Sequence, residues 1–167
     1  MFYSKILFLI LVKMIIKDHA LFHKSMPSQG KLLAIDVGTK RLGIAVCDEL
    51  RFLATPKKII NRQSNEKDFA EIAHIFKEER AIAIVMGFPI NMDGTFNEMS
   101  RFTQKFADEL DRFLGGSVQI FFADERLTSF EAKEISHSIS SRKKQKHFDD
   151  IAASVILRDF IDVVKGN

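Results

Sequence analysis

Short apolar runs and longer stretches with a helical repeat take turns along this chain. "KLLAID" (31–36) and "LGIAVCD" (42–48) are apolar runs of strand length on either side of "VGTKR". Gly38 in that turn can take positive φ, so a tight antiparallel pair is expected. "FLATPKKII" (52–60) predicts a third extended piece. Its Pro56 cannot donate to a ladder, which points to an edge strand or a break. From Ser64, a good N-cap, to Arg80, the residues Phe69, Ile72, Ala73 and Phe76 recur at helical spacing. "AIAIVMG" (81–87) is apolar without alternation, the pattern of a parallel, central strand covered on both faces.

The turn-rich "FPINMDGT" (88–95) leads into a helix over about 96–114. Its expected apolar stripe is Met99, Phe102, Phe106, Leu110 and Phe113, and Gly115-Gly116 stops it. "SVQIFFA" (117–123) predicts another buried strand that runs into "DERLT" (124–128). A helix is expected there, with Thr128 and Glu131 at capping-box spacing. "SISSRKKQKH" (138–147) reads as a polar, basic, mobile loop. The last helix is expected to start near Asp149 and to bury Ala152, Val155, Ile156 and Phe160. The predicted order is βββ-α-β-α-β-α-α. Three antiparallel strands begin the sheet and two helix-linked parallel strands extend it, a mixed α/β sheet with helices on its faces.

Composition changes this picture in three places. At 167 residues the chain suits one domain with a real core, and sixteen Phe with no Trp predict a Phe-rich one. The single cysteine, Cys47, excludes an internal disulfide framework, fits a reducing compartment, and reads as a small buried side chain. The net charge of +3 comes from the first thirty residues, which hold four Lys and one Asp; the rest balances to neutrality. Affinity for a polyanion must then come from local clusters of cations.

Those first thirty residues read as an N-terminal extension before a domain over 31–167. Their unbroken apolar run, Ile6 to Val12, is far short of the roughly 20 residues of a membrane span. "KDHALFHKS" follows it with no small-x-small cleavage site. A translation start at Met26 is the expectation, beside a membrane-touching tail or a cleaved signal. His19 and His23 alone do not make a metal site.

Three acidic sites stand out by position: Asp36 ends the first strand, Asp124 and Glu125 end the last, and Asp149 with Asp150 opens the last helix. In open α/β sheets the functional crevice lies at the carboxyl ends of strands. Converging carboxylates repel and raise one another's pKa, and a divalent cation removes the problem. Mg²⁺ accepts such oxygen ligands, and a pair of ions suits phosphodiester cleavage. Each site also has a plainer reading: Asp36 bonding the following turn, Asp124 and Glu125 as a surface strand end paired with Arg126, Asp149 or Asp150 capping a helix. Lys40, Arg41 and Arg126 lie near these acids in sequence, and Arg142, Lys143, Lys144 and Lys146 precede Asp149. They could guide a polyanion or form a solvated loop. "GTKRLG" lacks the Lys-Ser/Thr of a phosphate-binding P-loop, and neither a G-x-S-x-G nor a zinc pattern is present.

"AIDVGTKRLGIAV", "IVMGFPINMDGT", "ADERLTSFEA" and "FDDIAASVIL" occur in that order. Together they resemble the YqgF family, also called RuvX or Holliday-junction-resolvase-like proteins, over about residues 31–164. The resemblance implies an RNase H-like fold and a metal-dependent nuclease using Mg²⁺ or Mn²⁺. Its acidic residues match Asp36, the Asp124-Glu125 pair without choosing between them, and Asp149. Asp149 is preferred to Asp150 because it stands three residues before Ala152-Ala153. A related resolvase family has a further aspartate where this chain has Ala152.

The family's link to 5′-end maturation of small-subunit ribosomal RNA precursor implies a cytoplasmic endonuclease acting on structured RNA, pre-16S rRNA. Its catalytic residues would be Asp36, Glu125 and Asp149, with no stable membrane association. Resolution of branched DNA by the same residues, which would favour a homodimer over a monomer, stands as the alternative. So does a ribosome-assembly factor that binds RNA without cutting it. An actin-like or sugar-kinase ATPase is disfavoured, because those proteins close two lobes on a nucleotide and this chain has length for one.

Overall fold

The structure, a computed structural model, describes Phe22, residues 25–125 and residues 142–166; for 142–150 it describes the backbone alone. Strands β1 (Leu32–Val37), β2 (Arg41–Cys47) and β3 (Ala54–Asn61) form an antiparallel meander. Helix α1 (Asn65–Glu78) leads to β4 (Ala83–Phe88), and α2 (Glu98–Phe113) leads to β5 (Gln119–Asp124). The sheet order is β3-β2-β1-β4-β5, with β4 parallel to both β1 and β5. This is the expected mixed five-stranded sheet. The expected helix with Thr128 and Glu131 at its start lies outside the described residues.

Alternation along the strands divides the interior in two. Leu33, Ile35 and Val37 of β1 join Ile84, Met86 and Phe88 of β4 in the core under α1 and α2. Leu32, Ala34, Ala83 and Val85 face the other way, into a core with Ala153, Ile156, Leu157, Ile161 and Val164 of the last helix, α3 (Arg142–Lys165). All six residues of β4 are buried, as a central parallel strand should be. β5 is an edge strand, and only Phe121 and Phe122 are buried, fewer than its sequence suggests.

Pro56 does not break β3. Ala45 pairs with Pro56 and Ile44 with Lys58, so Lys57 is the extra residue of a bulge on an edge strand. Ser64 caps α1, its Oγ accepting from the Lys67 N–H at 3.4 Å. Asn97 and Ser100 cap α2 reciprocally. The buried stripe of α2 is Ser100, Thr103, Phe106, Ala107 and Leu110, rotated from the one expected, and Phe113 is 45% exposed. The small residues let α2 sit close to the strand, with the Ser100 hydroxyl donating to the Pro89 carbonyl.

α3 starts at Arg142, not near Asp149. The segment "RKKQKHFDD" has no Gly or Pro, and Arg, Lys and Gln are good helix formers. Its polarity does not make it a loop; the backbone is helical. Asp149 and Asp150 are therefore not N-caps; both lie inside the helix. Ile156 is buried as expected, whereas Ala152, Val155 and Phe160 are only half-buried, beside a stripe centred on Ala153 and Leu157.

Phe22 is 3% exposed. It packs edge-on against Phe121 (4.9 Å) and Phe160 (5.2 Å), and the Arg51 guanidinium lies 5.4 Å above its ring. The packed body thus reaches upstream of residue 30. Among the described residues no helix is long and apolar enough to cross a membrane.

Candidate active site at the carboxyl ends of the central strands

Asp36 is half-buried and lies next to last in β1. Its neighbours Ile35 and Val37 enter the core under α1 and α2, so Asp36 belongs to the α3 face. Across the antiparallel pair stands Gly43, which adds no side chain there. On the other side, the Ile35–Met86 register brings Asp36 level with Gly87 of β4. A Cβ on Gly87 would run into Oε1 of Glu125 and come within 2.7 Å of Cδ1 of Ile156. Gly87 is therefore a slot in the strand, filled by the carboxylate of Glu125, the residue just past β5, and by Ile156 from α3.

That slot separates the two candidates at the end of β5. The Glu125 carboxylate sits on the α3 face beside Gly87, the face to which Asp36 belongs. Asp124 pairs with Phe88, and alternation places it on the α1 and α2 face.

Helix α3 crosses this face from one end to the other. Ile156 meets Gly87 at the carboxyl end of β4, while Nζ of Lys165 donates to the Leu50 carbonyl in the β2–β3 turn. The amino-terminal half of α3 thus lies toward the acidic end. Position 149 is one turn before the fully buried Ala153 and two turns before Ile156, on the same helical stripe. The side chain of Asp149 lies outside the described residues. Among the described residues no group of three His, Cys, Asp or Glu could hold a metal ion.

Lys40 is exposed and Arg41 half-buried in the β1–β2 turn. Gly38 does not use the left-handed region there, contrary to expectation. Its N–H donates to the Arg41 carbonyl at 3.0 Å, and an added Cβ would lie 2.6 Å from that oxygen, so glycine serves close approach. Arg142, Lys143, Lys144 and Lys146 occupy the first turns of α3, with side chains outside the description, and Arg126 lies outside it altogether. Cys47 takes no part. It lies at the other end of the sheet, where its sulfur accepts from the Leu32 N–H at 3.1 Å and burial pushes its thiol pKa up.

Two residues beside the candidate site escape the sequence reading. Gly87 carried a signal, since a glycine closing a buried strand marks a close approach. Arg62, which grips the β1–β2 turn, carried none beyond an aspartate six residues on.

The profile of a family described as Holliday junction resolvase, RuvX, matches residues 30–163. The chain belongs to the RuvX family. A relative from Carboxydothermus hydrogenoformans is 38% identical over 139 residues, covering 82% of this chain and 99% of its own. Another, from Roseobacter denitrificans, is 32% identical over 154 residues, covering 91% and 94%. Both carry the name "Putative pre-16S rRNA nuclease". Among solved structures, T. thermophilus RuvC in complex with Holliday junction substrate superposes with a TM-score of 0.53 at 12% identity, over 82% of this chain and 96% of that one. A second T. thermophilus RuvC structure gives 0.50 at 11% identity. These likenesses establish the RNase H-like fold that the sequence motifs led one to expect.

Proposed function

We propose that this RuvX-family chain is a cytoplasmic, divalent-metal-dependent endonuclease that cuts structured RNA in the 5′-end maturation of pre-16S rRNA. The observation that carries the reading is the slot at Gly87, which brings the Glu125 carboxylate onto the face to which Asp36 belongs. The names of the relatives supply the substrate class.

Asp36, Glu125 and Asp149 are the residues to hold Mg²⁺ or Mn²⁺, since oxygen donors of this kind suit hard cations. Asp124 ranks behind Glu125 because of its face. A bound cation there would offset phosphate charge and lower the pKa of a coordinated water. Lys40, Arg41 and Arg126 contact the flanking phosphates, and Arg142, Lys143, Lys144 and Lys146 line the approach along the first turns of α3. The family's description favours a second reading, cleavage of four-way DNA junctions by the same residues.

The test uses the full chain, because Phe22 is part of the core. A labelled precursor 16S RNA fragment and a four-way DNA junction are offered with Mg²⁺, Mn²⁺ or chelator, to wild type and to Asp36→Asn. RNA cleavage that needs the metal and falls roughly 100-fold in Asp36→Asn, about 2.7 kcal/mol of barrier, is expected. Cleavage of the junction alone would move the substrate to DNA. Binding of RNA without any cleavage would sink the enzymatic reading and leave an assembly factor.

A further inference from the structure

One residue ties the β1–β2 turn to the body of the molecule. Arg62 lies just past β3, and its backbone N–H donates to the Lys40 carbonyl at 3.0 Å. Its Nη1 donates to the Gly38 carbonyl at 3.3 Å. The two carbonyls flank Thr39, so the grip closes around the tip of the turn. The rest of the guanidinium is held from behind. Nε donates to Oδ2 of Asp68 at 3.1 Å and Nη2 to Oδ1 of Asn65 at 2.6 Å. Asn65 passes the connection to α2, its Nδ2 donating to Oε2 of Glu109 at 2.6 Å. The guanidinium carbon stands 5.1 Å from the ring centroids of both Phe102 and Phe106.

This is more apparatus than one ion pair needs. The Asp68 side chain is 2% exposed and that of Arg62 12%, so the pair is nearly dry and has little freedom. A planar fork with fixed donors can meet Asp68, Asn65 and Gly38 at once while lying over two rings; a lysine ammonium cannot. What the fork holds in place is a turn only two residues beyond Asp36. The exposed surface of that turn is Thr39 and Lys40.

We infer that Arg62 is a positioning residue for the substrate phosphate at this site. It fixes the Gly38 and Lys40 carbonyls, and through them sets where Lys40 and the end of β1 meet the sugar–phosphate backbone. The inference rests on the nuclease reading and adds a residue outside the acidic cluster. Arg62 touches no substrate itself; it acts through the turn.

The test compares wild type, Arg62→Lys, Lys40→Ala and the double variant, with Ile75→Val as a control that loosens the core away from the turn. Binding of the precursor 16S RNA fragment is measured in chelator across a salt series. Each lost phosphate contact lowers the slope of log affinity against log salt by roughly 0.7–0.9. Arg62→Lys should lower the slope as Lys40→Ala does, and the double variant should lower it no further. With metal present, Arg62→Lys should cut kcat about tenfold, while Ile75→Val changes neither slope nor kcat.

An unchanged slope in Arg62→Lys, or additive effects in the double variant, would overturn the inference. So would wild type that binds no RNA, since no phosphate would then be positioned. Wild type that binds but never cuts would defeat the nuclease reading alone, and the binding arm would still decide the role of Arg62.

Discussion

Gly87 shows how a residue without a side chain can set a site. The two atoms an added methyl would crowd most, Oε1 of Glu125 and Cδ1 of Ile156, are ends of side chains that can swing away. Gly87→Ala should therefore fold, at a cost of about 1–3 kcal/mol, and lose cleavage well beyond that loss of stability. Thermal melts beside cleavage rates check it; full activity would mean that the Glu125 carboxylate is not needed where it sits. The sequence marked Asp36 and the Asp124-Glu125 pair by their places at strand ends, but it could not choose within the pair. The choice depends on where the β5 ladder stops and on a slot in a different strand. Neither is encoded near residues 124 and 125.

At the scale of elements, hydrophobic pattern was a sound guide wherever burial is two-sided. β1 and β4 are buried almost throughout, and their runs are unmistakable. It failed where large apolar residues do not mark the element. The start of α3 looked like a loop because its residues are polar, although none of them breaks a helix. The face of α2 was misjudged because large apolar residues suggested a stripe that small ones occupy. The β2–β3 turn illustrates how a short element is held without a core. Oδ1 of Asp48 accepts from the Leu53 and Phe52 N–H groups at 2.6 and 2.8 Å, and Oδ2 from Leu50 at 3.1 Å. These bonds, that from Leu53 foremost, hold the Asp48 carboxyl below its ordinary pKa. A carboxyl depressed on folding stabilises above the unfolded value, near 3.9, and that contribution is lost as pH falls through the folded value. The gap in melting temperature between wild type and Asp48→Ala should thus be wider at pH 7 than at pH 3. A gap that does not change with pH would count against the charge.

Among the described residues, one sheet lies between two unlike layers, and Phe22 belongs to the second. Its burial beneath Arg51 was hidden from the sequence, because the segment around it has a tail's composition and its ring partners, Phe121 and Phe160, lie about a hundred residues or more away. Phe22→Ala should cost about 3 kcal/mol of stability. Denaturant titration of the full chain measures it, and a loss near zero would remove Phe22 from the core. In the same layer α3 is held at two points, past its middle by Ile156 at Gly87 and at its carboxyl end by Lys165 at Leu50. A rod pinned in this way has one rotational setting. Each residue inserted or removed between Asp149 and Ala153 would turn everything upstream by about 100° and shift it about 1.5 Å. Whatever position 149 contributes, it does so in phase with the sheet. In that short stretch the number of residues is as much a part of the site as their chemistry.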